Sequence, residues 1–302
     1  MRIALITDDP GWHGARLRDA FVARACEVQV VSLCDCAIDL VNSPQGLHMP
    51  GFEERLPDGV FVRGVPGGTL EQVVLYLDFL HALKALGIPV YNDGRAIERS
   101  VDKGMTSLLL QHAGILVPPT WVVSSEERGQ RIWARERAAG HRLVVKPLFG
   151  SQGQGLVRLS QDDALPALAD YQGVYYLQRF IEDQHFDWRV FIINGRVVAG
   201  MQRHGKCWIN NVAQGASCIA APKDRELETL AETVTQVLDM DYAGVDLMRD
   251  ADGNFQVIEA NSIPAWKGLQ TACDVDIAVC LVDDFCSRYL RRRSRSAVPV
   301  EE

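Results

Sequence analysis

The sequence predicts an α/β fold that passes into α+β organisation in its C-terminal part. Three observations carry this. Apolar strands and amphipathic helices alternate over the first ninety residues, which favours a small parallel sheet. A glycine-rich loop at Phe149-Gly-Ser-Gln-Gly-Gln-Gly155 has strand-like sequence on both sides. From Tyr175 onward the chain is mostly strands, and Asp252-Gly253 there marks a hairpin turn.

In order, Ile3–Thr7 reads as a buried strand, Asp8–His13 as a polar loop, Ala15–Ala25 as a helix and Val28–Ser32 as the next strand. Val60–Arg63 is a third strand. Thr69–Leu86 has helical periodicity and stops at Gly87. In such a domain ligands sit at strand C-termini, here Asp8–His13 and Arg63–Gly68. Asp102–Ala113 is helical, Leu116-Val-Pro-Pro119 breaks it, Trp121–Val123 is a strand and Ile132–Ala139 a helix. Leu143–Lys146 and Gly155–Leu159 flank the glycine loop. The last third holds a helix over Asp224–Leu238 and a closing helix near Asp274–Leu290.

At 302 residues the chain exceeds one hydrophobic core, so two or three domains are expected. An apolar content of 47% and a charged content of 23% are those of a globular protein, and a net charge of −8 argues against nucleic acid or a membrane surface as partner. The N-terminus becomes polar too soon for a signal peptide, and no apolar run reaches bilayer length. The eight cysteines contain no C-x-x-C pair, so free thiols in the cytoplasm are expected, and zinc at Cys34/Cys36 lacks a second ligand pair. The basic run Arg291–Arg295 reads as a solvated tail.

If Asp252 and Gly253 form a two-residue type I′ loop, Arg249 pairs with Gln256 and Asp246 stands opposite Glu259. Asn261 then shares their face, while Val245, Leu247, Ile258 and Ala260 form the core face. Opposed carboxylates destabilise a sheet unless a positive charge lies between them. A divalent cation held through oxygen satisfies that requirement; a solvated acidic strand face is the alternative.

The glycine loop matches neither a Rossmann fingerprint nor a P-loop, both of which open a helix. With strands on both sides it describes a flap whose backbone N–H groups cover phosphates, with Ser151 as a hydroxyl donor and Lys146 as a fixed cation. A flexible hairpin tip would also be glycine-rich. Lys103 lies upstream, and Asp187, Arg189 and Arg203 lie downstream on successive strands. Cations followed by oxygen ligands describe a nucleoside triphosphate held with magnesium.

This series resembles the ATP-grasp superfamily, and within it the RimK-like amino-acid ligases. Its carriers are Asp102-Lys103, Val144-Val-Lys146-Pro with Gly150–Gly155, Gln178-Arg-Phe-Ile181, Asp187-x-Arg189, Arg203, Asn210–Ala216, Gly244-Val-Asp246 and Glu259-Ala-Asn261. The motifs Gly11-Trp-His13, Val62-Arg63-x-x-Pro66-Gly-Gly-Thr-Leu-Glu71 and Leu77-Asp-x-Leu-His-Ala-Leu83 resemble glutamate ligases of the tetrahydromethanopterin type.

The resemblance implies an N-terminal substrate-side domain at 1–92, a central ATP-grasp subdomain with the flap at 93–177, and a C-terminal subdomain with the metal site at 178–302. It implies ATP and Mg2+ (or Mn2+) as cofactors. Lys103 and Lys146 would contact phosphates, with Gly150, Ser151, Gln152 and Gly153 over them. Gln178, Arg179 and Phe180 would line the adenine slot, and Asp187 would meet the ribose. Arg203, Lys146 and Asn211 would face the reacting groups, and Asp246, Glu259 and Asn261 would hold the metal. His13, Arg63, Gly67 and Gly68 would meet substrate. One departure is that Ile209-Asn210-Asn211 stands where RimK carries Arg-Ser-Asn, removing a cation for a substrate carboxylate.

The implied activity is ATP-dependent joining of a carboxylate to an amine through an acyl phosphate, adding glutamate or another amino acid to a pterin C1-carrier or related cofactor. The alternatives are a ligase for a peptide, protein C-terminus or amino-group carrier, and a non-catalytic ATP-binding module. Partners are a small carboxylate and an amino acid, in a protein that the resemblance allows to be a homo-oligomer. His13 and His204 read as isolated surface polarity.

Overall fold

The computed structural model describes residues 1–43, 45–150, 153–182, 186–205, 208, 210 and 215–290. The N-terminal part contains β1 (Arg2–Ile6), α1 (Gly11–Val22), β2 (Glu27–Val31), a small ribbon of β3 (Ala37–Ile38) and β4 (Leu47–His48), β5 (Gly59–Val62), α2 (Leu70–Ala85) and β6 (Val90–Tyr91). Its sheet runs β2-β1-β5-β6 with every pairing parallel. Residues 3–6 of β1 and all of β5 are buried, as helix-covered parallel strands must be. Thr69 and Gln72 close a capping box at the start of α2, and Gly87 takes φ +76° just past its end.

A boundary in this part differs from expectation. The segment Gly11–His13, expected in a loop, is the first turn of α1, because Pro10 already holds helical angles (φ −63°, ψ −37°) and its carbonyl accepts the Gly14 N–H. Trp12 and His13 are thereby fixed on a helix.

The middle part begins with α3 (Gly94–Val101), unanticipated, and α4 (Lys103–His112). Asp93 caps α3 and Asp102 caps α4 through side-chain oxygens, which leaves Lys103 as the first residue of α4. Then come β7 (Thr120–Val123), α5 (Glu126–Ala138), β8 (Leu143–Lys146), β9 (Val157–Leu159) and β10 (Tyr175–Arg179). They form an antiparallel sheet in the order β7-β10-β8-β9, whose core gathers Trp133, Leu143, Val145, Tyr175 and Leu177. The glycine loop is the connection between antiparallel β8 and β9, as expected.

The last part holds β11 (Phe186–Ile193), β12 (Arg196–His204), β13 (Ser217–Ala220), α6 (Arg225–Leu238), β14 (Tyr242–Arg249), β15 (Phe255–Asn261), α7 (Lys267–Gln270) and α8 (Ile277–Phe285). The antiparallel order is β13-β12-β11-β14-β15. Leu227, Ala231, Val234 and Leu238 of α6 pack with Val190, Val245 and Leu247 in one core. In another, Phe191, Tyr242, Trp266 and α8 pack with Leu5, Phe21 and Phe61 of the parallel domain. Buried Asn92 joins the two parts. Its Nδ2 donates to the carbonyls of Tyr242 (2.6 Å) and Ser262 (2.8 Å), and its Oδ1 accepts the N–H of Asp241 (2.6 Å).

The β14–β15 hairpin corrects three expectations. Its loop has three residues rather than two: Asp250 N–H donates to Asn254 O, Gly253 N–H donates to Asp250 O, and Gly253 takes φ +86°. Arg249 therefore pairs with Phe255, not Gln256. A bulge then leaves Ile258 without a partner, which restores the register so that Asp246 still faces Glu259. Ile258 is consequently not core; Val257 is buried in its place.

Candidate active site

A cleft lies between the β8–β10 sheet and the β14–β15 hairpin. Its walls carry Lys103, Lys146, Gly150, Gly153, Gln178, Arg179, Phe180, Asp187, Arg203, Asp246 and Glu259 among the residues singled out from sequence. Asn261 is not on that wall; its Oδ1 accepts the Ile263 N–H at 2.9 Å. Gly67 and Gly68 lie exposed ahead of α2, and a Cβ on Gly68 would meet the Gln72 carboxamide oxygen at 2.6 Å, so that glycine gives the capping box its room. Ser151, Gln152, Ile209 and Asn211 lie outside the described residues.

Lys146 ends β8 with its Nζ donating to Gln178 Oε1 at 2.6 Å, 5.6 Å from the Tyr176 ring centroid. Gln178 is fixed in turn by donating from Nε2 to Tyr176 Oη (2.9 Å) and Thr120 Oγ1 (3.1 Å). Burial pushes the Lys146 ammonium down to about 8, and Glu259 opposes that fall. Lys103 donates to the Gly150 carbonyl at 2.8 Å, tying the first turn of α4 to the start of the flap, and its pKa is also lowered by burial. No described residue donates a hydrogen bond to Glu259 or forms an ion pair with it.

Behind these groups lies a buried ionic cluster set by strand register. Asp187 pairs with Arg203 across β11–β12, and Arg189 with Asp246 across β11–β14. Arg203 donates bidentately to Asp187 (2.7 and 2.8 Å) and reaches Asp246 at 2.9 Å, while Arg189 donates bidentately to Asp246 (2.6 and 2.7 Å). Positive charge thus already compensates Asp246. Burial would raise the Asp246 carboxyl, but the two guanidiniums outweigh it and hold it low; for Asp187 burial prevails over Arg203, and its pKa rises to about 6.

At the other end of the cleft the Phe180 ring meets Trp208 edge-on at 6.1 Å, with Arg158 over both rings at 5.3 and 5.7 Å. The Arg179 side chain turns away to buried Glu136 at 2.7 Å, and the backbone N–H groups of Arg179 and Phe180 donate to Pro119 and Arg142 carbonyls. Sequence reasoning missed Trp208, Met248 and Ile258 as lining residues. Met248 stood at i+2 from Asp246, which places it on the same strand face and could have identified it.

On the parallel-sheet side, His13 and Arg63 converge on Trp266, which the sequence reading also missed. His13 is not isolated surface polarity: its Nε2 accepts the Trp266 N–H at 3.1 Å and its ring lies 4.6 Å from the indole. Burial, then Arg63 and Lys267, push its pKa down to about 4, so the ring is neutral near pH 7. Arg63 donates from Nη1 to the Ile263 carbonyl at 3.2 Å and lies 5.2 Å from the Trp266 ring. His204 stacks on Phe186 at 5.0 Å.

Among the described residues no helix is long and apolar enough to cross a membrane, and the cysteines seen there are free thiols. No group of three or more His, Cys, Asp or Glu side chains forms a ready-made metal cage among them.

Comparison with known proteins places this geometry. A model of the RimK-like ATP-grasp domain matches residues 100–285. A tetrahydromethanopterin:alpha-L-glutamate ligase of Methanococcus maripaludis is 31% identical over 74% of this chain and 77% of its own. An enzyme of the same name from Methanocaldococcus jannaschii is 35% identical over 65% of this chain and 69% of its own. The ATP-grasp ligase PsnB, solved with a precursor variant, Mg and ADP, superposes with a TM-score of 0.74 at 20% identity, covering 94% of this chain and 97% of that one. The chain belongs to the RimK-like ATP-grasp family and is an ATP-grasp ligase, forming a carbon–nitrogen bond with release of ADP.

Proposed function

We propose that this ligase activates a substrate carboxylate with ATP and transfers it to the amine of an amino acid, with glutamate the leading candidate and a pterin C1-carrier or related cofactor as the acid. The observation that carries the reading is the cleft itself, which sets Lys103 and Lys146 on one wall against Glu259 and Asp246 on the other. The names of the two methanogen relatives support glutamate and the pterin. Residues 1–92 would form the substrate side, 93–177 the flap-bearing centre and 178–302 the metal-bearing part.

Phosphates of ATP would lie between the two lysines under the Gly150–Gly155 flap, with the base toward Phe180 and Trp208 and the ribose near Asp187. Magnesium is bound in enzymes of this kind by one or two carboxylates together with substrate phosphates. Glu259, on the cleft wall with no hydrogen bond from a described residue, fits that pattern, and Asn261, off that wall and bonded to the Ile263 N–H, would join only if its side chain turned toward the cleft. Asp246 would join only on loosening one arginine. The ion would neutralise charge building on the transferred phosphoryl group.

The chain's own groups do the rest. Lys146, with its ammonium pointed at the cleft by Gln178, would stabilise the equatorial oxygens of the phosphoryl group. Once the acyl phosphate forms, the flap held by Lys103 would exclude water that otherwise hydrolyses it. Arg203 would face the oxyanion created when the amine attacks. Asn211 is proposed beside it. No nucleophilic side chain is needed.

The test is ADP release from magnesium-ATP with a panel of acids and amines, including pterin–glutamate pairs and peptides. Release that depends on one acid and one amine, with a condensed product in the mass spectrum, supports the reading. Nucleotide binding without turnover for any pair would overturn it.

A further inference from the structure

Arg63 is a guanidinium enclosed in the protein with no carboxylate paired to it among the described residues. The contrast is internal to the molecule. Arg189 and Arg203 are buried too, and each is bound bidentately to an aspartate. Arg63 forms no ion pair within 4 Å among the described residues and makes one hydrogen bond, to the Ile263 carbonyl. Its Nε is enclosed and has no acceptor among the described residues. Among the described residues its Nη2 has no hydrogen-bond partner either. Trp266 Nε1, on the ring beside which Arg63 sits, is a second enclosed donor without an acceptor.

Two orphaned donors and an uncompensated cation in one place are costly, because each buried donor forfeits its hydration. His13 adds no charge to offset Arg63, and Lys267 acts on the same imidazole as a further cation. What this cluster lacks is an anion with oxygen acceptors.

Its position says which anion. Arg63 grips the Ile263 carbonyl, and Ile263 N–H is held by Asn261 at the end of β15, the strand that carries Glu259. An amino acid that delivers its α-amine to an acyl phosphate keeps its α-carboxylate two bonds from the attacking nitrogen. Arg63 lies outside the residues that line the cleft, but it is anchored four residues along the chain from Glu259, just past the end of the strand that carries it. The cation expected at Ile209 from the RimK pattern is absent from the sequence, and Arg63 supplies one from a different element.

We propose that Arg63, seated on Trp266 beside His13, is the subsite for the α-carboxylate of the amino acid that supplies the amine. This deepens the ligase reading and rests on it. Arg63 is then a specificity-determining residue, and the guanidinium fork suits a carboxylate better than a point charge would.

The experiment titrates the protein, loaded with magnesium and a non-hydrolysable ATP analogue, with L-glutamate and its α-amide, and with L-alanine and L-alaninamide. Wild-type protein is expected to bind at least one of the acids roughly 10–100-fold more tightly than its amide, the worth of a charge-assisted bond. Arg63→Ala should erase that ratio while leaving affinity for the ATP analogue unchanged. Arg63→Gln keeps a donor for Ile263 but no charge, and it should lose the ratio equally. Added guanidinium should partly restore it in Arg63→Ala. The inference is overturned if the wild type binds no amino acid, or prefers none of the acids over its amide. It is equally overturned if Arg63→Gln retains the wild-type ratio, the mark of a purely structural contact. Failure of the ligase reading would show separately, as absence of ADP release in wild-type protein for every acid–amine pair.

Discussion

Asp246 on β14 stands directly opposite Glu259 on β15, and the residue that makes this so, Ile258, has no cross-strand partner on β14. The bulge lets both carboxylates face the cleft while Val257 and Ala260 stay in the core. The two acids are nevertheless in different circumstances. Asp246 is neutralised by Arg189 and Arg203, whereas Glu259 faces Lys103 and Lys146 across the cleft with no hydrogen-bond donor among the described residues.

That difference predicts the behaviour of Glu259→Gln. The substitution breaks no hydrogen bond among the described residues, so the melting temperature should move by only about 1–2 °C, in keeping with a change below roughly 0.5 kcal/mol. Turnover should fall by about 100-fold or more, the scale of losing one group that positions charge in phosphoryl transfer. Steady-state ADP release and calorimetry check the two halves. A variant with wild-type activity would refute the assignment of Glu259 to the metal.

Arg203→Met, by contrast, should also cost stability. It removes the shared partner of Asp187 and Asp246 and leaves buried carboxylates undercompensated, a loss of about 3–5 kcal/mol. Denaturant unfolding should show the midpoint falling sharply. Stability equal to wild type would mean that the cluster is not buried in solution as it is in this structure.

Lys146 carries a pH signature. Its native pKa of about 8 lies below the ordinary value of 10.5, so the folded protein releases this proton before the unfolded chain does. Affinity for ATP should therefore fall as pH rises through about 8, where the free protein loses the ammonium that would meet the phosphates. Stability has the reverse sign. Between pH 8 and 10.5 the unfolded state binds more protons, so the cost of burying this charge, full below pH 8, is relieved across that window. Lys146→Met should accordingly raise the melting temperature near pH 7 while weakening nucleotide binding. Calorimetric titration from pH 6.5 to 9.5 checks the first effect, and a pH-independent affinity would contradict it.

Trp208 and Phe180 meet at the proposed base end of the cleft. Trp208→Ala should weaken ADP binding by about 5–10-fold, in line with loss of one aromatic contact worth roughly 1 kcal/mol. Bound ADP should also change the indole fluorescence of the wild type in a way the variant lacks. An unchanged affinity would place the base elsewhere.

Asn92→Ala removes hydrogen bonds to Tyr242, Ser262 and Asp241 in a fully buried site. The backbone groups left unpaired should cost about 3 kcal/mol or more, seen as a lower denaturation midpoint. An unchanged midpoint would show that this junction is not what joins the parallel domain to β14.

How much of this was legible in the sequence varies with the range of the interaction. The Asp246–Glu259 pairing was found through two errors that cancelled: a turn taken as two residues long and a bulge not foreseen. Nothing local distinguishes Asp252-Gly253 as a two-residue loop from Asp250–Asn254 as a three-residue one. The helix over Gly94–Val101 was missed although Asp93 marks its start, since the window is only eight residues long and half polar. The lysines and the flap were readable because strand ends and glycines are local features. Trp266, Asn92 and the Arg189–Asp246 clamp were not, because each acts on partners at least 57 residues away, where only the tertiary fold brings them together.

The central claim is that a substrate carboxylate becomes an acyl phosphate in the cleft between Lys146 and Glu259. The most direct measurement follows ¹⁸O from a carboxylate-labelled acid through one turnover with magnesium-ATP and the amine. The account predicts one ¹⁸O atom in the inorganic phosphate for each ADP formed. Phosphate free of label, with ADP still produced and the amide formed, would contradict it.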